Sequence, residues 1–501
     1  MLIWKTQTLN VNVASVRYRC LLPLRYLAKG GVHQTICGGA DPVKITPQTE
    51  AIVFVKSFRN QDIDTCKQAK RLGVPIILDL CDNIFIEEYA LGKDYVPADN
   101  FRSMVQQAAA IVTTGEALKK EIERAIAPLN ASIPIVIIPD GNETLSDIDE
   151  AFRITRVQRL ISLVLRPATK RLTKPFRRTY AAISRLRAKM RKAIRQRYKE
   201  LRLTERQKLR YKREKREQRE AREKQEALQH GSDMSDVSVQ EESIQSEPST
   251  LEHPPSTCSR LEREASTYAA IAHPKVPPKV CAKVQPTPFS PDSWPAATPG
   301  TKTILWFGNH GAKYGSFGMS SILDTATAIE TISREQSIRL VVVSNSRDKY
   351  EQFIQPLPFK THYLRWHPRA IYSYIQASDV VIIPNSQSVY SICKSANRAV
   401  LALSQGTPVV ASCTPALALF EGCVVLDDWE KGLRQYLLDP EISQTHVALA
   451  QQAIARNLSG DKIAQQWLAL IEDVTGRSQI KPFSTKTRRM AGASTEQGSQ
   501  V

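Results

Sequence analysis

The chain has 501 residues, enough for two domains of ordinary size and something more, with 42% hydrophobic residues and a formal charge of +19. No window reaches the length and apolarity of a membrane span, and Met1–Thr8 holds no apolar run of signal-peptide length, so neither an embedded nor an exported chain is expected. The charge says little about the fold, because residues 151–230 hold 28 Lys/Arg against seven Asp/Glu, a net of +21 that leaves the rest at −2.

Residues 1–150 alternate apolar runs with amphipathic ones. Strands are predicted at 2–5, 32–36, 51–55, 75–79, 110–113 and 134–138, and helices at 19–29, 61–72, 99–108 and 116–127. Runs as short and apolar as Ala51–Val55 imply burial on both faces, hence a parallel sheet flanked by helices. Residues 151–230 form a basic insertion. Ile183, Leu186, Met190, Ile194, Tyr198 and Leu201 step by three or four along it, a helical stripe, and Glu214–Glu226 is almost wholly charged or amide. Residues 231–300 carry 11 of the 29 prolines and many serines, the composition of a disordered linker.

The βα rhythm resumes in residues 301–475. Strands are predicted at 303–307, 339–344, 361–364, 379–383, 408–411 and 423–426. Helices are predicted at 318–331, 369–376, 396–404, 429–437, 440–456 and 460–474. Residues 476–501 read as a disordered basic tail. Nine cysteines, an odd number with no C-x-x-C pair and no zinc spacing, fit a reducing cytosol.

The most informative stretch runs from Lys394 to Ser412. Val400, Leu401 and Leu403 suit a short buried helix, Gly406 stops it, Pro408 keeps it stopped, and Val409 and Val410 begin a strand. A helix N-terminus carrying Lys394, Ser395, Asn397 and Arg398 offers free N–H groups, a dipole end and a guanidinium, which together make a phosphate seat. An ordinary αβ unit with solvated charges is the other reading. Four further loops would lie beyond strand ends, where open α/β sheets bind ligands. Gly308, Asn309, His310, Gly311 and Lys313 form a glycine loop able to approach a phosphate, or a loop without a ligand. Asn345 and Arg347 follow the next strand and either meet a diphosphate or cap a helix. Trp366 precedes a helix as a ring wall or as core filler, and Ser388 completes the ring. In the first half, Arg17 and Arg19 follow the first strand, and Asp79 and Asp82 stand at a strand's carboxyl end.

As a set, these segments resemble the GT-B-fold glycosyltransferases, in particular family-4-like bacterial polysaccharide enzymes. Gly406-Thr-Pro408-Val-Val-Ala411 is similar to their "G-x-P-V-V-A" after the donor-binding helix. Thr303–Gly311 is similar to the first strand and glycine loop of their C-terminal domain, and Ala377–Pro384 to the strand leading to the donor. Ser15–Pro23 and Ile76–Asn83 resemble segments of their N-terminal half. The resemblance covers about 1–145 and 300–475. It implies an α/β protein of two Rossmann-like doubly wound domains facing a cleft, with the last helix crossing back to the first domain.

It also implies sugar transfer from a nucleotide-sugar donor to a glycan or lipid-linked acceptor in cell-surface polysaccharide synthesis, with no metal and no cofactor. Lys394, Ser395, Asn397, Arg398 and the glycine loop would hold the diphosphate, and Trp366 would wall the base. Arg17 and Arg19 would stabilise the departing group, and Asp82 would orient or deprotonate the acceptor hydroxyl. A helix cap is the other reading for Asp82, and a metal pair of Asp79 and Asp82 is a third, which two phosphate-binding halves do not need. The chain departs from the family at one point. Of two glutamates spaced seven apart that hold donor ribose and sugar, the second is replaced by Leu401 and none stands near Lys394. Catalytic silence on the same fold, with the basic arm as a tether, and sugar epimerisation are therefore the other readings.

For the basic insertion, an amphipathic arm on anionic lipid at the inner face of the plasma membrane is the first reading. A nucleic-acid arm has few aromatics to stack with and is not expected. A coiled coil or solvated helix is the third.

Overall fold

In the computed structural model every predicted strand is present, with boundaries within two residues of expectation. The structure describes residues 1–39, 41–86, 89, 96–164, 294–295, 298–309 and 318–476. The basic insertion beyond 164, the proline- and serine-rich stretch up to 293 and the expected tail from 477 on lie outside the described residues, and so do His310, Gly311 and Lys313.

The first half contains β1 (Leu2–Thr6), β2 (Gln34–Gly38), β3 (Ala51–Val55), β4 (Ile76–Leu80), β5 (Ala110–Thr113) and β6 (Ile135–Ile137). They form one parallel sheet in the order β2-β1-β3-β4-β5-β6. All five side chains of β1, β3 and β4 are buried, as their two-sided apolar pattern requires. The second half contains β7 (Lys302–Phe307), β8 (Ile338–Ser344), β9 (Thr361–Arg365), β10 (Val380–Ile383), β11 (Val409–Ala411) and β12 (Val425–Leu426). Its parallel order, β12-β11-β10-β7-β8-β9, is the dinucleotide-fold order 3-2-1-4-5-6. Two Rossmann-like sheets of this kind are the GT-B arrangement. Their order reverses between β1 and β3 in one half and between β7 and β10 in the other, and ligands bind beyond such reversals.

The described residues on both sides of the insertion belong to one compact unit, and three features tie them together. The helix α6 (Leu145–Val164) carries Ile148 into the core of the second half and Ala151 into that of the first. The last helix, α14 (Gly460–Thr475), returns to the first half, where Trp467 meets Trp4 edge-on at 5.0 Å. There is no room for a side chain at Gly460, since a Cβ would come within 2.2 Å of the Tyr26 ring. Just ahead of these two helices the backbone amide of Asn142 donates to the carbonyl of Leu458 at 2.6 Å.

Three local features depart from the sequence reading. The first helix begins early, with Ala14–Val16 leading into a π-helical turn, Arg17–Leu21, before α2 (Leu22–Lys29). The single helix predicted at 318–331 is a 3-10 stretch, Met319–Thr325, followed by α7 (Ala326–Glu335). Short helices α8 (Arg347–Phe353) and α10 (Val389–Ile392) also form, each too brief for a periodic signal. A serine side chain caps each: Ser346 accepts from the Lys349 amide and Ser388 from the Ser391 amide.

Candidate functional site

The wall of the second half is built around the β7/β10 reversal. β7 ends at Gly308, whose amide donates to the Val343 carbonyl at 3.1 Å and whose carbonyl accepts from the Ser344 hydroxyl at 3.0 Å. After β10 the chain passes Asn385, whose backbone amide is held by the Ser412 hydroxyl at 2.9 Å. α11 (Asn397–Ser404) follows, with Val400, Leu401 and Leu403 buried as its pattern requires and with Gly406 beyond it at φ +87°. Arg398 leans from its first turn into the reversal. It donates to the Asn385 side-chain oxygen at 2.7 Å, and a Cβ placed on Gly308 would lie 3.5 Å from it. No carboxylate pairs with Arg398 among the described residues, and burial pulls its pKa below the ordinary arginine value. A cation held this way, against backbone at the end of a sheet, is organised to receive an anion.

The facing wall is also charged, but its charges are matched. Every side chain of the Arg17–Leu21 turn is buried. Arg17 grips Glu143 through Nε at 2.8 and 3.1 Å and donates to the Val11 carbonyl at 2.8 Å. Arg19 grips Asp79 with Nε and Nη2, and its Nη1 reaches the Ile138 carbonyl at 2.7 Å and Asp140 at 3.2 Å. Burial pushes the Asp79 and Glu143 carboxyls up, and the arginines pull against that. The two arginines expected in a cleft loop therefore stand in a buried helical turn, each engaged with a carboxylate of its own half. Asp79 and Asp82 do not share a ligand position, since each is committed to different cations.

The two walls meet at Asp82. It lies just past β4, and two lysines pair with its carboxylate, Lys56 through one oxygen and Lys394 through the other. Lys56 follows β3 in the first half, while Lys394 comes from the turn before α11 in the second. Lys394 also donates to the Tyr390 hydroxyl at 2.8 Å. Burial raises the Asp82 carboxyl, but Lys394 and then Lys56 outweigh it and hold the group well below the usual carboxylate range. Burial opposes the charge on Lys394, and Asp82 more than restores it.

The remaining candidates are scattered. Trp366 is half-buried against the second-half core, with the Arg17 guanidinium 5.5 Å above its ring. It serves as core contact and as a wall between the halves at once. Asn345 is exposed, Arg347 is exposed and paired with Glu351 one turn along α8, and Ser346 between them caps that helix. Ser388 caps α10, Ser395 and Asn397 are half-buried at the entrance to α11, and Asn309 follows Gly308 along the glycine loop.

Sequence reasoning placed Asn385 with Ser388 in the ring of loops but missed Lys56 and Glu143 as parts of this site. Lys56 carried a signal, a lysine directly after an all-apolar strand, but its importance depends on β3 lying beside β4. Glu143 carried none: its carboxylate binds Arg17, and its carbonyl accepts from the Tyr372 hydroxyl of the other half at 2.9 Å.

No family model matches the chain, and no curated protein matches it. Solved structures similar to it include HepE from Anabaena in complex with UDP and glucose (10% identity, 94% of this chain and 99% of that one, TM-score 0.44). Another is α,α-trehalose 6-phosphate synthase from Burkholderia multivorans (10% identity, 92% and 75%, TM-score 0.42). UDP-GlcNAc 2-epimerase from Neisseria meningitidis bound to UDP-GlcNAc is a third (8% identity, 94% and 99%, TM-score 0.41).

Proposed function

We propose that this chain is a glycosyltransferase that moves a sugar from a nucleotide-sugar donor to a hydroxyl of a glycan or lipid-linked acceptor. The observation that carries the reading is Arg398, a half-buried cation with an amide oxygen but no carboxylate beside it among the described residues, set against Gly308 at the β7/β10 reversal. A diphosphate there would supply the missing charge, accept the Arg398 fork and sit within reach of the Gly308 loop. Lys394 and the α11 entrance, with Ser395 and Asn397, would complete the cradle.

In the transfer, the bond from the sugar's anomeric carbon to the diphosphate oxygen breaks and the diphosphate leaves with the electron pair. The acceptor oxygen forms the new bond at that carbon, and its proton passes to Asp82. Arg398 and Lys394 would stabilise the charge that develops on the leaving group, the largest need of such a reaction. Trp366 would wall the nucleobase. Arg17 and Arg19 act here as positioning residues: they hold Glu143, Asp79 and Asp140, and so fix the acceptor wall. No metal is required for these roles. A part in cell-surface polysaccharide synthesis, with residues 151–230 resting on anionic lipid at the cytoplasmic face, completes the proposal.

The test is turnover of a panel of UDP-, GDP- and ADP-sugars, read as nucleotide release with and without glycan acceptors. Arg398→Ala should lower turnover about 100-fold, the scale of losing one charge-stabilising donor. Equal turnover by Arg398→Ala, or no turnover of any donor, would overturn the reading. Donor conversion to an isomer without nucleotide release would assign an epimerase instead.

A further inference from the structure

We propose that the Lys394–Asp82 pair is an autoinhibitory latch, in which the protein's own carboxylate holds, across the cleft, the lysine that the donor diphosphate must recruit. The inference rests on the diphosphate site proposed above and concerns its regulation. Three observations carry it. Lys394 and Asp82 belong to different halves of the fold and lie beyond the carboxyl ends of different sheets, so their pairing ties one half to the other. Lys394 lies four residues before Arg398, in the non-helical segment that leads into α11, and its side chain is 35% exposed, which leaves it room to turn between Asp82 and an anion seated on Arg398.

The third observation is Lys56. It pairs with the other oxygen of Asp82 from a left-handed backbone, φ +51°, which a lysine rarely adopts. That conformation is held in place by its amide, which donates to the Asp79 carbonyl at 3.0 Å. Asp82 therefore keeps a counter-charge when Lys394 departs, and the latch can open without leaving a bare carboxylate in the cleft. Two lysines share one carboxylate, and the surplus positive charge is available to an incoming diphosphate.

Opening also changes Asp82. While two ammonium groups flank it, it is a poor proton acceptor; once Lys394 has moved to the diphosphate, one of the two charges that hold its proton affinity down is gone. Donor binding would thus prepare the acceptor base, and the base would stay silent in the empty enzyme. A ligand whose binding-competent form is only fractionally populated binds more weakly by that fraction. A latch closed in nine molecules of ten therefore weakens diphosphate binding about tenfold.

The experiment is calorimetric titration of UDP, GDP and ADP, and of the matching nucleosides, into the wild type, Asp82→Asn, Lys394→Gln and the double variant, each checked for folding by circular dichroism. Asp82→Asn should bind the preferred diphosphate about tenfold more tightly than wild type and leave nucleoside binding unchanged. In the Lys394→Gln background, Asp82→Asn should give no gain, because the gain passes through Lys394. If Asp82→Asn binds no tighter than wild type, or tightens binding equally without Lys394, the latch is refuted while the diphosphate site stands. If no diphosphate binds the wild type or Asp82→Asn, the site itself is refuted and the latch with it. Should Asp82→Asn fail to fold, Lys56→Met supplies the second measurement. With one competitor for Asp82 removed, Lys394 is held more firmly, and diphosphate binding should weaken; unchanged or tighter binding contradicts the latch.

Discussion

Both walls hold cations at least partly withdrawn from water, buried in the first half and half-buried in the second, yet they treat them in opposite ways. In the first half Arg17 has Glu143, and Arg19 has Asp79 and Asp140, with donors and acceptors within 3.2 Å throughout. In the second half Arg398 has the Asn385 amide oxygen and no carboxylate among the described residues. Burying a charge without a partner is costly, so an uncompensated one persists where something else compensates it part of the time. The first wall is scaffolding that happens to be ionic; the second carries the proposed site.

The largest way to break that comparison is Arg19→Met. Removing one partner of a buried ion pair leaves the other bare, and here two carboxylates would be left, so unfolding in urea should show a loss of about 3–5 kcal/mol. A loss under about 1 kcal/mol would mean that Arg19 is not a structural keystone, and the contrast between the walls would fail.

Arg398→Met sharpens the comparison with a smaller effect of the opposite sign. Replacing a half-buried, unmatched cation by an apolar chain of similar length should leave the ligand-free protein as stable as wild type or more stable by about 1 kcal/mol. A loss comparable to that of Arg19→Met would place Arg398 with the scaffold.

The smallest effect is in the pH dependence of Asp82. Its carboxyl is depressed in the folded state, so its contribution to stability is present above the unfolded value of about 4 and is lost as pH falls below it. The stability difference between wild type and Asp82→Asn should therefore be flat from pH 7 to 5 and shrink only on further acidification. A difference that already falls between pH 7 and 5 would mean that the lysine pair does not hold the carboxylate as described.

Most of the fold was legible because strands such as Ala51–Val55 and Ile338–Ser344 are short β-branched runs buried on both faces, a pattern that few other structures satisfy. Gly406 and Pro408 marked the end of α11 for the same local reasons that operate in the structure. Of the proposed site, the second-half wall was the more legible part, since Arg398 and Gly308 do come together. It was less so on the first, because partners there are distant in sequence. Arg17 meets Glu143 across 126 residues, and Lys394 meets Asp82 across 312. Charge pairing over such separations leaves no periodic trace. The carboxylate partners of Arg17 and Arg19 were hidden in the same way, so two arginines read as free to meet a leaving group stand paired inside a buried turn.

The account's central claim is that Arg398 is an anion seat rather than a structural ion. Calorimetric titration of nucleoside diphosphates into wild type and Arg398→Ala tests it most directly. The prediction is saturable binding of at least one diphosphate to wild type, weakened about 100-fold in Arg398→Ala, with the circular dichroism spectrum and ligand-free melting point retained. Equal affinity in both proteins, or binding to neither, would contradict it.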